Sequence, residues 1–186
     1  MGRLAHVLGI FDLALRLACE GLPALRLGLD IGCGDGALMR YAASSLQWIG
    51  VDISRCVLRY AGGQVVQASG LHLPFADRSV DVVTCIHVLH HLSDENVEQL
   101  FAEMARVARL RWVCLDLQRS KLARLGAWIL VRLTSRNRLT RHDGPLSVCR
   151  AYTLEEVRAL AKNADVMLTN CGTFRGFTWW MVGGPR

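Results

Sequence analysis

Residues 27–37 read Leu27-Gly28-Leu29-Asp30-Ile31-Gly32-Cys33-Gly34-Asp35-Gly36-Ala37. A short apolar strand, Leu27–Ile31, meets three alternating glycines, and a run of helix formers begins at Ala37. Glycine at such a junction lets the backbone turn sharply and lets a ligand approach the main chain. The spacing Gly32-x-Gly34-x-x-Ala37 also satisfies the loose dinucleotide fingerprint, which alone is a weak signal. The next strand, 48–52, ends in Asp52, placed where a carboxylate accepts hydrogen bonds from ribose hydroxyls. The neighbouring acids narrow the ligand. A dinucleotide brings a pyrophosphate to this helix N-terminus, and Asp30 and Asp35 oppose that charge. A cationic, phosphate-free nucleoside suits them. The alternative is a tight turn with no ligand, against which the alternating glycines and flanking acids weigh.

Outward from this bend, apolar residues at helical spacing from Leu4 to Ala18 predict a first helix over 4–20, ended by Gly21 and Pro23. A helix follows the glycines over 37–45, and Ser54 caps another to about Ala61. Strands are predicted at 64–68 and at 80–86, the latter a continuous apolar run covered on both faces. Ser93 or Asp94 opens a helix to Arg109, and 110–117 is a fifth strand. A basic helical stretch spans 120–135, and a polar loop runs on to about Arg150. Thr153 with Glu156 forms a capping box for a helix to Lys162. Strands at 166–171 and 177–182, joined across Gly172 and Gly176, finish the chain. Five strand–helix alternations imply an α/β fold whose parallel sheet has helices on both faces. The last two strands lie too close for a crossover and must form an antiparallel hairpin. The sheet is therefore seven-stranded and mostly parallel.

The chain of 186 residues, 52% hydrophobic and 20% charged, is sized for one domain over 1–186 and excludes disorder. Residues 1–22 form its N-terminal helix and 118–150 a basic insert. Seven dispersed cysteines without a C-x-x-C pair read as reduced core cysteine in a cytoplasmic chain. They offer no zinc set, and no metal site is expected; Asp94 and Glu95 read as a helix start. Asp12 and Glu20 interrupt the first apolar run, so it reads as an amphipathic helix rather than a signal peptide. No uncharged apolar stretch is long enough for a membrane span.

The string Leu29–Gly36, the strand end Val51-Asp52, Leu73-Pro74-Phe75 with Asp81-Val82-Val83, and Leu89-His90-His91-Leu92 occur in that order. Together they resemble the class I S-adenosylmethionine-dependent methyltransferases, a Rossmann-like three-layer fold. Within that class the likeness is to the small-molecule, type 11 group typified by ubiquinone and menaquinone biosynthesis. It implies S-adenosyl-L-methionine as cofactor, whose sulfonium and ammonium agree with the acids. By the same resemblance Gly32, Gly34 and Gly36 would pass under the methionine part, and Asp30 would fix its ammonium directly or through water. Asp52 would hold both ribose hydroxyls, with Ile53 beside it. Members carry Asp-Ala where this chain has Ser69-Gly70, and a hydroxyl is a neutral, shorter acceptor for the adenine amine. Leu71 would lend its main chain beside the adenine, and Ile86 and His87 would line the methyl end.

Methyl transfer from a sulfonium is an in-line displacement, so the protein mostly aligns the reactants. A general base is needed only when the acceptor must lose a proton of high pKa. His87 is the first candidate for that base. His142, beside Asp143, is the second, although an Asp143-Gly144-Pro145 turn accounts for those residues equally. His90 and His91 are the other imidazoles available as the base, although the pair reads first as packing or capping after the fourth strand; Trp179-Trp180 read as core and edge packing, and Tyr152 as able to reach the acceptor. In 119–141, apolar Leu122, Leu125, Trp128, Ile129 and Leu133 lie beside Arg119, Lys121, Arg124 and Arg132. This predicts a lid over a lipophilic acceptor or a helix resting peripherally on a membrane, against a plain solvated helix. The expected partner is a small-molecule acceptor methylated at oxygen or carbon. The net charge of +6 raises a nucleic-acid acceptor as the alternative. Against it, base-amine methylation employs an Asn/Asp-Pro-Pro-aromatic turn where this chain has Ile86-His87-Val88-Leu89. A nicotinamide-dependent oxidoreductase and a non-catalytic methyltransferase-like subunit are the remaining readings.

Overall fold

Leu27–Ile31 (β1) lies at the centre of the sheet, with Gln47–Asp52 (β2) parallel on one side and Val80–Ile86 (β4) parallel on the other. The computed structural model describes residues 9–44, 46–121, 123, 125, 126 and 146–186. Gln64–Gln67 (β3) extends the sheet beyond β2; Ala108–Leu117 (β5), Thr178–Gly183 (β7) and Leu168–Phe174 (β6) extend it beyond β4. The strand order is β3-β2-β1-β4-β5-β7-β6, and only β7 runs antiparallel to its neighbours. The order reverses between β1 and β4. That makes the crevice beyond their carboxyl ends the topological switch point, where open α/β sheets take their ligands.

Alternate residues of the central strands feed two apolar layers. Leu29, Val83, Cys85, Trp112 and Cys114 pack under the helices Asp94–Val107 (α4) and Leu154–Asn163 (α5), against Val97, Leu100, Phe101, Met104, Val157 and Leu160. Val82, Val113 and Leu115 face the other way, towards the helices Ile10–Cys19 (α1) and Ala37–Tyr41 (α2). Both faces of the sheet are covered, as the unbroken burial of Val80–Cys85 requires. A one-turn helix, Arg55–Leu58 (α3), follows β2.

Three tryptophans are each paired across the sheet with a glycine: Trp48 with Gly28, Trp112 with Gly183, and Trp180 with Gly172. A Cβ on those glycines would stand 2.6, 2.1 and 2.8 Å from the respective indole. The ring occupies the space a Cβ would take on its neighbour. Glycine is poor in strand interiors unless something must approach closely, and here an indole does.

Several boundaries differ from the sequence reading. The helix expected to reach Arg109 ends at Val107, because Ala108 pairs with Val80 and Arg109 Nε donates to buried Asp81 at 2.7 Å. The helix expected over 37–45 stops at Tyr41 and that after Ser54 at Leu58. Gly172 lies inside β6 opposite Trp180, so the hairpin turns instead at Arg175 and Gly176, both at positive φ. Where a polar loop was expected up to Arg150, residues 146–150 are helical and bury Ser147 and Val148. The Thr153–Glu156 capping box forms as read, with both reciprocal bonds. Of the basic stretch, Lys121, Ala123, Leu125 and Gly126 are helical; Trp128, Ile129, Arg132 and Leu133 lie outside the described residues, as do 4–8.

Candidate functional site

Past Ile31 the chain takes three left-handed residues, Gly32, Gly34 and Gly36, at φ 69°, 55° and 74°. The bend is tied down from β2: the amides of Gly32 and Cys33 both donate to the Val51 carbonyl, at 2.7 and 3.0 Å. Gly32 is doubly constrained, since a Cβ there would also come within 2.3 Å of Val88 Cγ2. Asp52 ties two loops together. Its Oδ2 accepts from the Gly34 amide at 3.0 Å and its Oδ1 from the Ser54 amide at 2.8 Å. Ile53 beside it is 72% exposed and free for a ligand to cover.

Asp30 is buried, and Thr84 Oγ1 lies 3.0 Å from its Oδ1. Burial pushes the carboxyl up, the Thr84 bond pulls it down and the charge of Asp52 pushes it up again, to about 7. Burial, then Asp30 and Asp52, push the nearby Cys33 thiol up to about 12. Among the described residues neither Asp30 nor Asp52 has a cationic partner, whereas exposed Asp35 pairs with Arg40 at 3.2 Å. The mouth of the glycine bend is thus a concentration of negative potential left uncompensated by the protein.

Ser69-Gly70-Leu71 forms the neighbouring wall. Ser69 Oγ accepts from the Leu71 amide at 3.2 Å, so part of its accepting capacity is spent on its own turn. A Cβ on Gly70 would stand 2.8 Å from Ile31 Cγ2, which explains glycine in this place. The wall continues into Leu73-Pro74-Phe75. Arg106 fixes that segment by donating to the Leu73 and Phe75 carbonyls at 3.1 and 2.9 Å, while Glu103 accepts from the Leu73 amide at 2.7 Å.

Across the switch point, β4 runs from Ile86 into His87, which has φ 58°. That conformation is rare and costly outside glycine and concentrates at functional sites. The His87 amide donates to the Leu115 carbonyl at 2.9 Å, while its buried Nε2 has no partner among the described residues. Burial lowers the imidazole pKa, Asp116 opposes that and His90 adds to it. A 3-10 turn, Leu89–His91, follows. In it the His90 Nδ1 lies 2.7 Å from Asp116 Oδ1, and the side chains of both are 1% exposed. The His90 Nε2 is buried and unpartnered among the described residues, as is Gln118 Oε1 just past β5. An orphaned buried polar atom costs about 1–3 kcal/mol, so a group of them past the ends of β4 and β5 calls for a function. The Tyr152 hydroxyl, which the sequence allowed to reach the acceptor, instead lies 3.0 Å from the Leu92 carbonyl and 2.9 Å from Asp94 Oδ1. Trp179 is fully buried and Trp180 partly so, as packing residues. His142 lies outside the described residues.

The strand order therefore brings Asp30, Gly32, Gly34, Gly36, Asp52, Ile53, Ser69, Gly70, Leu71, Ile86 and His87 to the carboxyl edge of the sheet, at or just past the ends of β1 to β4. Sequence reasoning missed Asp116. Its signal was a lone acid near the end of the otherwise apolar strand Val113-Cys114-Leu115-Asp116-Leu117, which only a buried partner could justify.

Residues 29–111 match the methyltransferase domain family. The chain is 32% identical over 140 residues to a tRNA (carboxymethyluridine(34)-5-O)-methyltransferase of Schizosaccharomyces pombe, a match covering 73% of this chain and 56% of that protein. It is 34% identical over 130 residues to a demethylmenaquinone methyltransferase of Roseiflexus castenholzii, covering 61% and 52% respectively. The chain thus spans about half the length of these curated relatives. Among solved structures, the PH0226 protein of Pyrococcus horikoshii superposes with a TM-score of 0.75 at 16% identity, over 99% of this chain and 92% of that one. A SAM-dependent methyltransferase of Aquifex aeolicus gives 0.63 at 15% identity, over 94% and 95%. At these identities the structural likeness is one of fold.

Proposed function

We propose that the chain is a class I S-adenosylmethionine-dependent methyltransferase, and that it methylates a small lipophilic acceptor at oxygen or carbon. The observation that carries this reading is the glycine bend mouthed by Asp30 and Asp52, two carboxylates without cationic partners among the described residues. A sulfonium and an ammonium complement that potential, and a pyrophosphate would be repelled by it. When bound, S-adenosylmethionine supplies a methyl group already activated on sulfur.

The chain's own residues hold and align. Gly32, Gly34 and Gly36 would underlie the methionine part, and Asp30 would receive the ammonium. Asp52 would turn from the loop amides to the ribose hydroxyls, with Ile53 covering the nucleoside. Ser69, Gly70 and the Leu71 main chain would border the adenine, and Ile86 and His87 the methyl end. The basic, apolar stretch 119–141 would cover a lipophilic acceptor or rest on a membrane surface that delivers it. No described helix is long and apolar enough to cross a membrane.

The tRNA-modifying relative favours a second reading, in which the acceptor is a modified nucleoside of tRNA. The basic balance of the chain, with a sequence pI of about 9.2, agrees with it. The test is calorimetry with S-adenosylhomocysteine and, separately, NADH. Transfer of a radiolabelled methyl group into a lipid extract and into total tRNA follows. Binding of S-adenosylhomocysteine with label in the lipid fraction is the expected outcome. Label in tRNA that falls steeply with salt selects the second reading, and binding of NADH alone overturns both.

A further inference from the structure

We infer that the chain carries a second ligand site, a cleft behind the glycine bend that takes a small aromatic carboxylate, and that filling it strengthens cofactor binding through Arg40 and Asp35. The cleft stands on its own geometry; its coupling rests on the cofactor reading above.

Two short helices open the cleft. α2 ends at Tyr41 and α3 at Leu58, so neither crossover beside β2 is long. The space between α2, the start of β2 and the turn before β3 is left as a cleft of about 330 Å³. That falls within the range of small-molecule pockets, about 300–1,000 Å³. Met39, Leu46 and Trp48 line it, with Gly62 and Gly63 on the turn. Gly63 has φ 98°, a conformation that favours glycine. Gly62 lies outside that region, and nothing among the described residues stands within 4 Å of where its Cβ would be. Neither strain nor packing demands glycine at 62. Its missing side chain leaves that wall of the cleft open.

The lining defines the ligand. Trp48 offers an aromatic surface and Met39 a polarizable thioether, which suit a flat ring. Arg40 is the one ionised side chain in the lining among the described residues, and no acid accompanies it there. Its planar guanidinium takes a carboxylate through two parallel bonds. A fused aromatic ring bearing a single carboxylate meets both requirements.

Arg40 also connects the cleft to the bend. Its Nη2 lies 3.2 Å from Asp35 Oδ2 and its Nη1 donates to the Asp35 carbonyl, with both side chains about half exposed. Asp35 stands between Gly34 and Gly36. Met39 reaches the same bend from the cleft, since a Cβ on Gly36 would stand 3.0 Å from its Cε. A carboxylate in the cleft competes for the guanidinium and releases Asp35. Asp35 then joins Asp30 and Asp52 as a third acid without a cationic partner, and the bend attracts a sulfonium more strongly. Exposed ion pairs are weak, so the gain is about two- to fivefold. By reciprocity the cofactor tightens the carboxylate's binding by the same factor.

The test titrates the full chain with 2-naphthoate, neutral 2-naphthamide and S-adenosylmethionine by calorimetry, alongside nuclear Overhauser contacts from the naphthalene protons. 2-Naphthoate should bind with a dissociation constant on the order of 0.1–1 mM, several-fold tighter than the amide, and touch Met39 and Trp48. Gly62→Leu fills the cleft and should abolish that binding. Arg40→Gln should erase the preference for the carboxylate. By freeing Asp35 it should also raise S-adenosylmethionine affinity about two- to fivefold, with no further response to 2-naphthoate. Retained S-adenosylmethionine binding reports that each variant is folded. No binding of 2-naphthoate, equal binding of the amide, indifference to Gly62→Leu, or contacts to other residues overturns the site. Bound 2-naphthoate with S-adenosylmethionine affinity unchanged overturns the coupling. A chain that takes 2-naphthoate in the cleft but no S-adenosylmethionine sinks the cofactor reading instead.

Discussion

The two halves of the carboxyl edge are built on opposite plans. After β1 and β2, nearly every polar group is already engaged: the Gly32, Cys33 and Gly34 amides with Val51 and Asp52, and Ser69 with its own turn. What that half lacks is counter-charge. After β4 and β5 the Asp116 carboxylate is engaged by the His90 ring and the Leu117 amide, and the shortage among the described residues is of hydrogen-bond partners, at His87 Nε2, His90 Nε2 and Gln118 Oε1. One half is a preformed bend of negative potential. The other keeps its polar groups in reserve, which costs stability and suits a site where an acceptor is gripped only as it reacts.

Breaking the first half should have the largest effect. Gly32→Ala combines a strained φ, about 1–2 kcal/mol, with overpacking against Val88, about 1–3 kcal/mol. S-adenosylhomocysteine affinity measured by calorimetry should fall on the order of 100-fold, and an unchanged affinity would mean the bend is not the cradle. A smaller effect tests the missing counter-charge. The Asp30 carboxyl is raised in the fold to about 7, so the folded protein holds its proton more tightly than the unfolded chain. Stability without ligand should therefore fall as pH rises from the ordinary carboxylate range through about 7, by up to about 1.4 kcal/mol per pH unit. Affinity for S-adenosylhomocysteine should climb over the same window and level off above it. Asp30→Asn should flatten both curves. The smallest effect probes the second half. Gln118→Leu removes an orphaned buried oxygen and should raise stability by about 1 kcal/mol in urea unfolding, with S-adenosylhomocysteine affinity unchanged. A loss of stability would show that Gln118 is structural.

The first half was legible in the sequence because its chemistry lies in local strings. Glycines at fixed spacing, an acid at a strand end and Leu73-Pro74-Phe75 are each read within a few residues, and alternation of strand and helix gave the layers. The second half was not. His90 and Asp116 are 26 residues apart and meet only because β4 and β5 pair in parallel register. Read alone, His90-His91 was packing or capping first and a base second, and Asp116 drew no reading at all. Boundaries went astray for a related reason: Ala108 leaves its helix because Val80 is waiting across the sheet, and no local propensity records that.

The cross-strand tryptophan–glycine pairs constrain how this sheet can diverge. At Gly28 and Trp48, any side chain introduced on the glycine collides with the indole, and any shrinkage of the indole opens a void over bare backbone. Each substitution is harmful alone, and a matched exchange of bulk across the pair can restore the fit. Such positions change together or stay fixed, so among descendants of this chain the three pairs should be inherited as units, each a ratchet against drift by single steps.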